Sequence, residues 1–190
     1  MRFLGVSRAE RFSPNRTAGD AAVFRAVAAC LERQGNEVLC VEEQNLKSVP
    51  DGIDGVFHMA RSREALSLLD QVSVPVTNTV QAVYNCFRAP QTALLNGTGL
   101  IPDSIICSTD DIPQGWNKYP CWIKRADSHA IDKDDVQYIQ DADKLGTAMR
   151  SLSERGISEC VIQAHVRGWV VKFYGVRGYG LTDCYTATAC

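Results

Sequence analysis

None of the eight cysteines falls in a C-x-x-C pair, which excludes zinc ribbons and thioredoxin-like redox sites. The three histidines, His58, His129 and His165, are far apart and form no H-E-x-x-H. A G-x-x-x-x-G-K-[ST] phosphate loop, a G-x-G-x-x-G after a strand and a G-x-S-x-G elbow are all missing as well. No apolar run approaches the roughly 20 residues of a spanning helix. The apolar part of Met1-Arg2-Phe3-Leu4-Gly5-Val6 is too short for a signal peptide. Lys and Arg number 20 against 22 Asp and Glu, a net charge of -2. A general nucleic-acid binder needs a basic surplus to displace phosphate counterions, and a polybasic membrane anchor needs one too. Neither nucleic acid nor a membrane is therefore an expected partner, and the expected location is the cytoplasm.

The 190 residues are 45% hydrophobic and 22% charged, the composition of a globular protein long enough to bury a core without staples. Most cysteines lie in apolar stretches, as in Val38-Leu39-Cys40-Val41 and Ile105-Ile106-Cys107, and are expected to be reduced core thiols. His58, after Gly55-Val56-Phe57, is expected to be structural.

The first 78 residues alternate strand and helix. Strands are expected at Arg2–Ser7, Glu37–Val41, Gly55–Ala60 and Val74–Thr77. Between the first two, Val23, Ala26, Val27, Cys30 and Leu31 recur at helical spacing, and Gly35 marks the helix end. Thr17-Ala18-Gly19-Asp20 has capping-box spacing. Ser62 caps a second helix carrying Ala65, Leu66 and Leu69. This order predicts a small doubly wound α/β domain over 1–78.

The chain then changes character. A helix begins at Thr79, and Pro90 breaks or restarts it. Strands are expected at Ser104–Ser108, Tyr119–Arg125 and Val136–Gln140. Asp141 then caps a helix bearing Leu145, Ala148, Met149 and Leu152. Cys160–Val166 and Trp169–Val176, separated only by Arg167-Gly168, read as a hairpin, and Leu181–Ala189 reads as a further strand. The second half is therefore expected to be antiparallel α+β, in units 79–160 and 161–190. Gly175-Val176-Arg177-Gly178-Tyr179-Gly180 reads as a turn between strands rather than a phosphate loop. Lys124 and Lys172 each sit in an apolar strand, where a lysine either faces solvent or meets an anion in a cleft.

In order along the chain, these segments resemble the ATP-grasp superfamily of carboxylate ligases and related kinases. Asn78-Thr79 with Cys86-Phe87-Arg88 resembles the leading helix, whose basic residue, here Arg88, approaches the nucleotide phosphates. Thr92-Ala93-Leu94-Leu95 followed by Gly99-Leu100-Ile101-Pro102 resembles the step into the first antiparallel strand. Pro120-Cys121-Trp122-Ile123-Lys124 resembles the strand whose lysine touches the α-phosphate. The segment from Asp127 to Asp135 takes the place of the flexible loop over the phosphates. Val161-Ile162-Gln163-Ala164-His165-Val166 resembles the hinge strand that reads adenine, and Lys172-Phe173-Tyr174 the next strand. The resemblance implies a pre-ATP-grasp domain followed by an incomplete ATP-grasp fold. It implies ATP and Mg2+ as cofactors, with Arg88, Lys124, Gln163, Ala164, His165, Val166 and Lys172 around the nucleotide. The implied reaction is ATP-dependent ligation, in which a carboxylate is phosphorylated to an acyl phosphate and an amine or thiol attacks it.

Departures from that pattern set the alternative. The loop from Asp127 to Asp135 has no glycine and four aspartates, Asp127, Asp132, Asp134 and Asp135. Ala164 stands where many members carry Glu. Beyond Gly168 the only acidic residue is Asp183, and no Asn follows Asn117, so the family's Glu-x-Asn magnesium set is missing. No metal ligand is expected within these residues, no catalytic residue is assigned, and ligase turnover is expected only if the protein continues beyond residue 190. The alternative is a non-catalytic nucleotide-binding or partner-binding module. Arg8, Arg11 and Arg16 follow the first strand, and ligands of doubly wound sheets lie at the carboxyl ends of strands. An anionic small-molecule substrate near them and a solvated surface loop are both open readings.

Overall fold

A computed structural model describes residues 1–14, 16–175, 178 and 182–187. Its first sheet is parallel throughout. Strand β1 (Arg2–Ser7) pairs with β2 (Glu37–Glu42) on one side and with β3 (Gly55–His58) on the other, and β3 pairs with β4 (Val76–Thr77). The order β2-β1-β3-β4 leaves both faces to be covered, as parallel sheets require. Alternation along β1 and β3 sends Leu4, Val6 and Val56 to one face and Gly5 and Phe57 to the other.

Helix α2 (Arg63–Leu69) and helix α3 (Val80–Asn85) cover the first face. Leu66, Leu69, Val80, Val83 and Phe87 join Leu4, Val6 and Val56 in one buried cluster. Ser62 accepts from the Ala65 amide and Thr79 from the Ala82 amide, so both helices start at side-chain caps. Helix α1 (Thr17–Arg33) covers the second face, where Phe24 meets Phe57 at 5.3 Å between ring centroids. Gly5 makes this approach possible, since a Cβ there would lie 2.5 Å from Phe57 Cζ and 2.9 Å from Phe24 Cζ.

The second sheet is antiparallel, in the order β5-β8-β6-β7. It consists of β5 (Ser104–Ser108), β6 (Cys121–Arg125), β7 (Val136–Ile139) and β8 (Glu159–Ala164). Helix α5 (Ala142–Glu154) is capped by Asp141 on the Lys144 amide and closed by Gly156 at φ +75, the left-handed conformation that glycine adopts without steric cost. It lays Leu145, Ala148, Met149 and Leu152 on Cys121, Ile123, Cys160 and Ile162 of the sheet. Helix α4 (Arg88–Leu95) contacts β5 and β8.

A third, two-stranded sheet joins β9 (Val170–Gly175) antiparallel to β10 (Thr182–Ala187). The chain thus runs α/β and then α+β. Among the described residues no helix is long and apolar enough to cross a membrane.

Three expectations are corrected. The hairpin between Cys160–Val166 and Trp169–Val176 does not form. Both edges of β8 are occupied, by β5 and by β6, so the next strand must start a new sheet. Residues 160 and 161 both lie in β8, a central strand of the four-stranded antiparallel sheet. The capping box at Thr17 is absent. Arg16 is the N-cap, and Asp20 instead accepts from Arg8 at 2.8 Å and Ser13 at 2.7 Å, because a part-buried guanidinium is a stronger donor than a helix amide. The cysteines are less buried than expected. Among the described residues only Cys121 and Cys160 are buried and Cys107 is half-buried, whereas Cys40 is exposed on β2 at the sheet edge. Gly178 aside, residues 176–181 and 188–190 lie outside the described residues, and with them the expected turn over the glycine-rich segment.

Replacing Gly5 by Ala forces the Phe57 and Phe24 rings to shift, and with Phe24 the helix α1 that carries it; overpacking of this kind costs about 1–3 kcal/mol. Urea denaturation checks this by a lower midpoint at unchanged slope. Asp135, fully buried, supplies a second test. It accepts from the Ile131 and Asp132 amides at 2.7 and 2.9 Å and from Arg125 and Arg155 at 3.1 and 2.5 Å. Burial pushes its carboxyl up, but these hydrogen bonds outweigh it and bring the pKa down to about 2. A folded pKa below the unfolded value contributes stability above the unfolded pKa and loses it as pH falls through the folded one. Asp135→Asn is expected to cost about 3 kcal/mol at pH 7, and the gap to wild type should narrow between pH 4 and pH 2.

Candidate functional site

The face of the antiparallel sheet opposite α5 carries the expected residues. Pleating that sends Ile123 and Ile162 to the core sends Trp122 and Lys124, and Val161 and Gln163, to this open face. Arg88 at the start of α4 reaches the same place. Arg88, Lys124, Gln163, Val161, Thr92 and Pro102 line one cleft of about 220 Å³.

Within it a chain of hydrogen bonds fixes each group. Lys124 Nζ donates to Gln163 Oε1 at 2.6 Å, Gln163 Nε2 donates to Ser104 Oγ at 2.9 Å, and Ser104 Oγ donates to the Pro102 carbonyl at 2.7 Å. This chain fixes the amide of Gln163 with its oxygen toward the ammonium. Burial, and next the Arg88 guanidinium, push the Lys124 pKa down. Arg88 donates to the Arg125 carbonyl at 3.4 Å. Two cations side by side in a half-buried cleft form a site for an anion.

The hinge beyond Gln163 is held by the sheet. The Ala164 amide donates to the Asp103 carbonyl at 2.9 Å and the His165 amide to the Pro120 carbonyl at 3.0 Å. Pro120 has no N–H to return that second bond, so the His165 carbonyl lacks its ladder partner. The His165 ring accepts from Trp122 Nε1 at 3.0 Å through Nδ1. Tyr138 packs edge-on to Trp122 and His165, at 5.1 and 5.3 Å. Val166 follows, exposed.

The structure therefore brings Arg88, Lys124 and Gln163 together, with Ala164, His165 and Val166 continuing along the strand. It does not bring in Lys172, which sits exposed on β9 opposite Tyr185, in the separate two-stranded sheet, and does not line the cleft. The loop from Asp127 to Asp135 is pinned rather than free. Asp127 takes a bidentate grip from Arg125 at 2.7 and 2.9 Å, Asp132 pairs with Arg155 at 3.2 Å and caps a short 3-10 turn, and Asp135 is the buried anchor already described. Among the described residues no group of three or more His, Cys, Asp or Glu side chains could hold a metal.

Some residues at the carboxyl ends of the parallel strands carry no sequence expectation. Glu43 is buried and accepts three amides, from Ala9 at 2.7 Å, Arg61 at 2.8 Å and Ser62 at 2.7 Å. It thereby fastens the connections after β1 and β3 to each other. Nothing in Val41-Glu42-Glu43 marks it. Arg61 did carry a signal, since it stands just beyond a buried parallel strand, where ligands of such sheets lie. Of the three arginines expected near an anion, Arg8 lies here. Arg11 stacks on Phe12 at 4.7 Å, and Arg16 is an exposed helix cap.

No protein-family model and no curated protein matches the sequence. Solved structures do match. The D-alanine–D-alanine ligase from Bacillus anthracis complexed with ATP has a TM-score of 0.67 at 13% identity, over 98% of this chain and 70% of the ligase. The D-alanine–D-alanine ligase from Coxiella burnetii has a TM-score of 0.64 at 15% identity, over 97% and 69%. A RimK-domain ATP-grasp protein from Sphaerobacter thermophilus has a TM-score of 0.57 at 18% identity, over 90% and 68%. The parallel sheet, the antiparallel sheet that follows it and this likeness across nearly the whole chain make one result: the fold is the ATP-grasp fold, and the chain spans about 70% of the length of these structures.

Proposed function

We propose that this chain binds ATP in the cleft of Lys124 and serves ATP-dependent ligation of a carboxylate through an acyl phosphate. The observation that carries the reading is the convergence of Arg88, Lys124 and Gln163 on the open face of the sheet. Lys124 and Arg88 meet the phosphates, which need fixed positive charge more than any covalent partner. Val161 gives the base an apolar wall. The unreturned carbonyl of His165 accepts from the adenine amino group, with Val166 beside it. Lys172 enters as a further phosphate contact only if the two-stranded sheet closes over the cleft.

We further propose three units: a pre-domain over about 1–78, a first clamp unit, and a second that starts after β8. The pairing of β8 supports setting that last junction at 165–169 rather than at 161. An anionic substrate lies at the ends of β1 and β3 near Arg8. We place the reaction in the cytoplasm, with no role for nucleic acid.

Magnesium accompanies ATP in such chemistry, yet the described residues do not fit it. Asp127, Asp132 and Asp135 already hold the loop together, and no step is assigned to the metal. That engagement of the acids favours a second reading, nucleotide binding without turnover.

Titration with ATP and ADP separates these readings from no binding at all. At 100 Kd a nucleotide adds roughly 2.7 kcal/mol of stability, visible as a raised melting temperature. Lys124→Ala is expected to weaken binding about tenfold or more, the loss of one charge-assisted hydrogen bond. No shift with millimolar nucleotide overturns the proposal. Steady ADP release with magnesium favours the ligase over the silent binder.

A further inference from the structure

A second cleft, of about 310 Å³, opens at the carboxyl ends of β1 and β3, near the lower bound for small-molecule sites of roughly 300 Å³. Arg61 lines both this cleft and a neighbouring one bounded by Arg125 and Ser128. Its Nε is buried without a hydrogen-bond partner. Among the described residues its guanidinium makes no ion pair either. The two carboxylates nearby do not reach it, because Glu43 is engaged by three amides and Asp20 by Arg8 and Ser13.

The surrounding field is positive. Burial above all, and then Arg61, Arg88 and Arg8 in turn, hold the His129 pKa below its ordinary value. Arg61 is thus a half-buried cation among cations with no counter-ion, an arrangement that costs free energy unless an anion completes it.

Arg8, His58, Thr77 and Asn78 also line the cleft, but Arg8 is paired with Asp20 and the Met59 carbonyl and His58 Nε2 lies 2.6 Å from the Asn78 carbonyl; the other lining residues are apolar. Val23 and Val27, four residues apart on α1, present one face to it while 60% and 41% exposed. Phe57 and Val83 complete the wall. With Arg8 already neutralised by Asp20, a second charge on the ligand would be desolvated against these side chains without a free partner, which disfavours dicarboxylates and phosphates.

We propose that this cleft binds a small monocarboxylate with a branched apolar body, its carboxylate paired with Arg61 and its body against Val23, Val27, Phe57 and Val83. The inference rests on the ligase reading, to which it adds the class of acid.

The test uses 4-methylpentanoate as probe, with acetate and succinate as controls, in calorimetric titrations of the full chain. The branched acid is expected to bind at least tenfold more tightly than either control. Arg61→Gln should weaken it tenfold or more. Val27→Glu, on an exposed helix position that tolerates charge, should do the same without a change in melting temperature. Absence of binding by wild type, equal binding of acetate, or affinity unchanged in both variants overturns the inference. ATP titrated in parallel separates the two ideas. A chain that binds the acid but no nucleotide keeps the site and removes the ligase reading. One that binds nucleotide but no acid does the reverse.

Discussion

Strand β8 is hydrogen-bonded on both edges, fully covered on one face and only partly on the other, and much of the second half follows from that. Its core face, Cys160 and Ile162, takes the weight of α5. Its other face has only the short helix α4 to cover it, so Val161 is buried while Gln163 is left half-buried at the cleft. Lys124 on β6 sits across the ladder from Val161 and reaches Gln163 one step further along. The cleft is therefore a by-product of partial cover, and Ser104 on β5 completes the polar chain from the strand's other edge. The double pairing also forces β9 away, which is why Lys172 belongs to another sheet.

Much of this was legible in the residues. The four parallel strands and the caps at Ser62, Thr79 and Asp141 are local signals, written within a few residues of where they act. Lys124 stood out because a lysine in an apolar strand is a conflict that burial must resolve. What stayed hidden was long-range. Nothing near Gly168 says that both edges of β8 are taken, since that depends on β5, more than fifty residues upstream. A two-residue spacing with glycine is a good hairpin signal only when the strand before it has a free edge.

The loop from Asp127 to Asp135, expected to be flexible, shows the same limit. Four aspartates in nine residues look like a mobile loop when counted along the chain. In space, Arg125 and Arg155 bind three of them, Asp127, Asp132 and Asp135, into a cross-braced turn with Asp135 at its centre. Arg155 follows the end of α5, so the brace links the helix that covers the core to the loop beside the cleft. The position of Asp20 follows the same logic. A carboxylate placed to cap a helix leaves it for a guanidinium.

Glu43 has a mechanical effect as well as a structural one. Its two oxygens grip the connection after β1 on one side and the connection after β3 on the other. Arg8 precedes one gripped amide and Arg61 carries another. Displacement of either loop is transmitted through a single carboxylate, so the backbone segments that carry Arg8 and Arg61 act as one jaw rather than as two independent fingers.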